Sequence, residues 1–306
     1  SEHNFKLKAE ALAKFAAFNL ETTIDYRSHL IKNSFNNNLG EDFFLIRPAA
    51  GLNFTKLIKG SLGWTFSTAA GNTYNAIYAS VAMKLNKDIT LFGEYAPSAQ
   101  FYSAGDYLKQ NHFFRVDSIG SIYWEKSNAL TASVKYEFDK YFQIDGGLKY
   151  FSSEQFPYFI PSTDSGKFDL RYADMKSISP FANFLFYLGP YGEFYSSVEV
   201  SDIRDTDGNQ IPYQSALKLN AIYSYNFSNG LHSSVKLDYQ SKRYSDIKNE
   251  ISLGDYFDLG LSFIYSFQPN LDLTLDINNL LNQKNYYWNG YREVPLNVIV
   301  GINYRL

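Results

Sequence analysis

Asp205-Thr206-Asp207-Gly208-Asn209 sets side-chain oxygens at alternate positions around a glycine, with Asp202 just before them. Hard cations are held by oxygen ligands at such spacing. Asp202, Asp205, Asp207 and Asn209 are therefore candidate calcium ligands. The distal bidentate Glu of an EF-hand loop is missing, and the same residues also read as a polar turn capping a hairpin. A second set is aromatic: Tyr286, Tyr287, Trp288 and Tyr291, and separately Phe156, Tyr158 and Phe159 beside Pro157 and Pro161. Ring faces of this kind stack on sugars or hydrophobic ligands; they also pack loops and line membrane interfaces. The first of these clusters is the better ligand-binding candidate.

Hydrolytic chemistry finds little support. The chain has 4 histidines, His3, His29, His112 and His232, and none lies in an HExxH or nucleophile-elbow pattern. Ser28 and His29 adjoin near a strand end, but nothing marks a third partner. Cysteine is absent, which excludes disulfides, zinc–thiolate sites and a cysteine nucleophile. No phosphate-cradling glycine loop occurs. A formal net charge of -3 argues against a nucleic-acid binder. The expectation is a protein that is not an enzyme and has no resident cofactor beyond possible calcium in that one loop.

The elements that carry these residues are strands. In Leu296 to Leu306, LNVIVGINYRL, alternate residues Leu296, Val298, Val300, Ile302, Tyr304 and Leu306 share one face. An all-apolar outer face on a terminal strand is what the closing strand of an outer-membrane barrel requires. The pattern recurs, and its phase flips at short turns: across Ala16 and Ala17, near Lys56, at Asn86-Lys87-Asp88, Asp139-Lys140, Gly189-Pro190, Ser228-Asn229-Gly230 and Gln268-Pro269-Asn270. A shift of one residue moves every side chain to the other face, so each flip implies a turn. Between the flips lie polar stretches read as long loops: His29 to Asp42, Ser98 to Asn128, Ser152 to Asp169, Ser201 to Tyr213, Ser241 to Gly254 and Asn278 to Pro295.

Short turns at one end and long loops at the other are the outer-membrane arrangement, periplasmic and extracellular respectively. Aromatics make up 18% of the chain, including 26 Tyr and 26 Phe, enough for girdles at both rims. No run reaches the length of a membrane helix, and the mean hydropathy of -0.29 suits a barrel with a polar interior. A soluble sandwich or propeller is the competing fold; no blade motif or fixed repeat appears. Lumen-facing charges of both signs, Lys135, Glu137, Asp145, Lys149, Lys218, Lys236, Asp238, Asp258, Asp272 and Asp276, give no strong ion selectivity.

The predicted fold is all-β: one antiparallel transmembrane β-barrel over residues 1–306, with about 14 to 16 strands. A count of about fifteen would make the first and last strands parallel, so either the count is off by one or a strand precedes Ser1. No signal peptide is visible. These two features point to a mature chain or, more readily, a fragment of a longer protein.

Asp276 to Leu306 resembles the end of a TonB-dependent receptor. The features are Asn279-Leu280-Leu281-Asn282, then the aromatic loop Tyr286-Tyr287-Trp288, then a final alternating strand with Gly301. Asn111 to Tyr136 is similar to that family's barrel more loosely. Two features depart from it: the terminal residue is Leu306 where the family usually has Phe, and the chain is too short for both a plug and a barrel of about 22 strands. The resemblance implies a bacterial outer-membrane location and substrate uptake through a lumen gated by a plug. The implied partners are outer-membrane lipid, a plug domain or partner chain, and the TonB system where a plug exists. The alternatives are a structural or assembly barrel filled by a partner, and a passive porin. An inward-folded constriction loop would favour the porin, and Ser98 to Asn128 is the only stretch long enough to form one.

Overall fold

A computed structural model describes residues 2–15, 18–32, 38–69, 71–116, 119, 124–139, 141–187, 189–227 and 229–305. Antiparallel strands follow one another as β1 (Glu2–Lys14), β2 (Phe18–Lys32), β3 (Asn38–Asn53), β4 (Ile58–Ala69), β5 (Asn72–Lys84) and β6 (Ile89–Phe101). A short helix, α1 (Ala104–Gln110), precedes β7 (Trp124–Phe138), β8 (Phe142–Pro161), β9 (Phe168–Tyr187) and β10 (Glu193–Val200). The short β11 (Asp202–Asp205) leads to β12 (Leu217–Asn226) and β13 (Leu231–Gln240). A small hairpin, β14 (Arg243–Tyr244) and β15 (Ser252–Leu253), precedes β16 (Tyr256–Gln268) and β17 (Leu271–Asn278). A second, β18 (Tyr286–Trp288) and β19 (Tyr291–Arg292), precedes β20 (Asn297–Tyr304).

One sheet of 16 strands holds nearly all of this, each long strand paired with its neighbours in sequence and β11 set beside β9. The path runs β1 to β10, then β12, β13, β16, β17 and β20. The expected strand number is met. Among the described residues β1 and β20 are the two edges and run in the same direction.

The two faces of the sheet differ as the alternation requires. Outward lie Leu62 and Trp64 on β4, Ile77 and Val81 on β5, Leu130 and Val134 on β7, and Val298, Val300 and Ile302 on β20, all exposed. An apolar band of this extent on a water-facing surface is unfavourable; against lipid it is the stable arrangement. Inward lie paired polar groups. Lys149 meets Glu199 at 3.2 Å, Lys135 meets Glu137 at 2.7 Å, and Lys236 meets Asp238 at 2.9 Å. Asp272 meets Arg305 at 2.5 Å.

The loop end departs from the sequence expectation in three places. Ser152 to Asp169 is mostly strand: β8 continues to Pro161 and β9 starts at Phe168. The polar residues there surround a bulge, where Gln155 takes a φ of 58° and the register shifts between Ser153 and Phe156. Phe156, Tyr158 and Phe159 therefore lie on a strand and not in a loop. His29 to Asp42 is also shorter than a long loop, since β2 reaches Lys32 and β3 starts at Asn38. Third, β4 and β5 are joined at this end by a tight connection between Ala69 and Asn72. The turn at Ala16 and Ala17, part of the segment between Ile119 and Trp124, and the terminal Leu306 lie outside the described residues.

Candidate functional site

Connections from five hairpins meet at the loop end in one aromatic cluster. Its buried members are Tyr107, Phe114, Phe159, Phe168, Leu170, Tyr213 and Leu253, with Trp288 and Tyr291 packed against them. Each arrives by a local device. Ser103 caps α1 by accepting from the Asp106 amide at 3.1 Å, and the Asp106 carboxylate accepts from the Ser103 amide at 3.0 Å. This reciprocal box fixes the first turn and directs Tyr107 inward. The chain after α1 pairs with the start of β9: the Arg115 amide donates to the Phe168 carbonyl at 2.9 Å, and the Phe168 amide to Phe113 at 3.2 Å.

Trp288 sits at the hub. Its ring centroid lies 4.6 Å from Tyr213, 5.3 Å from Phe168, 5.4 Å from Phe159 and 5.6 Å from Tyr287. Most of these contacts are edge-on, the geometry aromatic quadrupoles favour. Tyr291 stacks on Phe113, and its hydroxyl donates to the Gly166 carbonyl. Of the four aromatic residues singled out in the sequence, Trp288 and Tyr291 thus hold the loops together. Tyr286 and Tyr287 are each 39% exposed.

Beneath Tyr287 lies Arg243, a residue the sequence reading passed over. Its side chain is fully buried. The guanidinium stands 5.3 Å from the Tyr287 ring and 5.9 Å from the Tyr256 ring, within cation–π range of both. Nη2 donates to the Tyr286 carbonyl at 2.8 Å, while Nε and Nη1 have no hydrogen-bond partner among the described residues. Burial lowers the Arg243 pKa, with the surrounding tyrosines opposing the shift. Burial likewise raises Tyr107 and Tyr213 well above an ordinary phenol.

The acidic turn is closed on itself. Asp205 Oδ1 accepts from the amides of Asp207 at 3.0 Å and Asn209 at 2.8 Å. Asp202 pairs with Arg204 at 2.7 Å, and Arg204 also donates to the Gly208 carbonyl at 2.7 Å. Among the described residues no three His, Asp or Glu side chains converge as metal ligands. Asp205 and Thr206 border a cavity of about 490 Å³ whose wall also includes Tyr74, Lys126, Asn128, Glu154 and Lys176.

On the inner wall of β2–β4 a second cluster gathers Phe43, Leu45, Ala69, Ala99, Phe101 and Trp124. Arg27 and Arg47 lie beside it. The sequence marked neither arginine, because an inward charge in an alternating strand looks the same whether or not it grips something. The crowding of Tyr102, Tyr107, Phe113 and Phe114 in a polar stretch was a further signal for the loop cluster, beside the aromatic runs that hold Phe159, Trp288 and Tyr291.

No protein-family model matches the chain, and no curated protein matches it in sequence. Solved structures do match in fold. The copper transporter OprC aligns over 99% of this chain and 56% of its own, with 11% identity and a TM-score of 0.72. A mutant of the ferric enterobactin receptor PfeA from Pseudomonas aeruginosa aligns over 99% and 54%, with 10% identity and a TM-score of 0.76. The FrpB iron transporter from Neisseria meningitidis aligns over 98% and 54%, with 15% identity and a TM-score of 0.67. The chain has the fold of the barrel portion of such receptors and spans about half the length of the solved structures it matches.

Proposed function

We propose that this chain is the barrel part of a bacterial outer-membrane receptor that takes up a metal-bearing ligand. The observation that carries the reading is an apolar-banded barrel sheet whose loop end assembles an aromatic cluster, with Tyr286 and Tyr287 partly exposed and Arg243 buried against the Tyr287 ring. Fold neighbours described as copper and iron transporters support the same class of cargo. Tyr286 and Tyr287 would stack on the ligand, and Trp288 and Tyr291 would hold them in place. The movement of cargo through the lumen would depend on a plug domain or partner chain and on the TonB system. Binding and passage, not covalent chemistry, would be the protein's work. A calcium ion at Asp202, Asp205, Asp207 and Asn209 would require Asp202 to leave Arg204 and Asp205 to leave the turn amides.

The chain has 3 tryptophans, Trp64, Trp124 and Trp288. Substituting Trp64→Phe and Trp124→Phe leaves Trp288 as the sole indole reporter at the loop end. Titrating the detergent-solubilised protein with ferric or cupric chelates should quench that fluorescence saturably, and Tyr287→Ala should weaken the effect at least about tenfold. Absence of saturable quenching with every chelate would overturn the reading. A stable complex with another outer-membrane chain would favour the assembly barrel, and chelate-independent solute flux would favour the porin.

A further inference from the structure

The seam between β5 and β6 closes only in part. Pairing runs from Lys84↔Thr90 to Ala79↔Tyr95 and stops there. Strand β6 nevertheless stays paired with β7 as far as Phe101↔Trp124, and β5 with β4 as far as Ala69↔Asn72. Among the described residues, 73–78 therefore have a ladder partner on one side only.

Beyond the split, β6 leans against the inner face of β2–β4. Pro97, Ala99 and Phe101 are buried there. The Phe101 ring lies 6.3 Å from Phe43 and 5.7 Å from the His29 ring. On β6 these residues share the parity of Tyr95, the outward face lower down. The outer face of one part of the sheet is thus packed on the inner face of another. Two guanidiniums hold it: Arg27 Nη1 donates to the Phe101 carbonyl at 2.6 Å, and Arg47 Nη2 to the Pro97 carbonyl at 3.0 Å.

Pro97 and Phe101 are an even number of residues apart, so their carbonyls leave the strand on the same side. That is the side β5 has left, and the arginines take the place of its amides. Proline has no N–H for a ladder on that side, so the seam opens at the residue where re-pairing is least favourable. Tyr74, from the inner face of β5, bridges the gap to Asn128 Oδ1 at 3.2 Å. A cavity bordered by Tyr74, Lys126 and Asn128 lies beside that bridge and extends along Ser152 to Glu154 of β8.

We propose that the end of the β6–β7 hairpin is a strap with two seats. In one it rests on Arg27 and Arg47 and narrows the lumen. In the other it zips onto β5 by continuing the existing register, which sets Ala76 opposite Ser98 and Tyr74 opposite Gln100. Passage between the seats draws Pro97, Ala99 and Phe101 off the inner wall.

Residues 1–306 contain no cysteine, so an introduced pair meets no competing thiol within the sheet. Ala76→Cys with Ser98→Cys reports the zipped seat, as a disulfide formed in the full chain in native membranes. Ser80→Cys with Glu94→Cys, a pair already in register, is the control for a folded sheet. The control pair should crosslink in every background. The reporter pair should crosslink slowly in the otherwise unaltered chain and about tenfold or more faster when Arg27→Gln and Arg47→Gln remove the charged donors. An unchanged rate in that background, or no reporter crosslink in either background while the control forms, would overturn the proposal.

Discussion

Replacing Trp288 with alanine separates a packing role from a ligand-stacking role. The indole is half-buried and touches four rings, those of Tyr213, Phe168, Phe159 and Tyr287. Truncating a buried tryptophan costs about 3–5 kcal/mol, and each aromatic pair adds about 0.5–1.5 kcal/mol beyond buried area. Partial exposure places Trp288→Ala near the lower end, about 3 kcal/mol. The loss falls on the loop end, because the strand ladders below do not involve Trp288. A local opening equilibrium moved by about 3 kcal/mol is a change of roughly 150-fold. Hydrogen exchange of the solubilised protein should therefore speed up by about two orders of magnitude at Tyr107, Phe114, Phe168 and Tyr213. Amides of β12 and β13 away from the loops should exchange as before. Unchanged protection across the four loop positions would refute the hub role and leave Trp288 as a free stacking surface.

Gly147→Ala should weaken the β7–β8 pairing, since its Cβ would meet the Ala132 carbonyl and lie 2.7 Å from Ser133 Cβ and 2.8 Å from Ser133 Cα. Overpacking of this kind costs about 1–3 kcal/mol and should lower the temperature at which the solubilised protein loses its strand circular-dichroism signal. Raising the pH should loosen the loop cluster. Burial raises Tyr102, Tyr107 and Tyr213, so the unfolded loops ionise first; the stabilisation is complete below about pH 10 and declines above it. Each tyrosine contributes a decline of about 1.4 kcal/mol per pH unit, and proteolysis of the loops at pH 9 and pH 11 checks it. Asp205→Ala should free the Asp207 and Asn209 amides at a cost of about 1 kcal/mol, visible as faster exchange. Adding calcium to the unaltered protein should leave those amides unchanged, because Arg204 and the turn already engage the carboxylates.

The strand order was legible because phase is a strong signal: each flip from one face to the other marked a turn, and the count near fifteen followed. Two kinds of feature were not legible. Polar residues around the Gln155 bulge looked like a loop, although a single extra residue lets β8 run on to Pro161. The seam at Ala79↔Tyr95 leaves no trace in the alternation, which continues through Pro97 to Phe101; only Pro97 hints at it. In the site, the aromatic run at Tyr286 to Tyr291 was visible, but not the division of work within it. Burial assigns Trp288 and Tyr291 to the scaffold and depends on Phe113, Phe159 and Tyr213, which are distant in sequence. Arg243 was hidden for the same reason, its tyrosine neighbours coming from β16 and β18.

Surface connections of barrels ordinarily vary one at a time, which is how such scaffolds acquire new specificities. Here the ring of Trp288 and the hydroxyl of Tyr291 tie the last hairpin to partners on β8, β9 and the β10–β12 connection. A single connection grafted from another barrel of this fold would arrive without its complementary rings. Exchange of loop segments should therefore succeed only when the hairpins carrying Tyr107, Phe159, Tyr213 and Trp288 are transplanted together, so the unit of inheritance at this rim is the whole set.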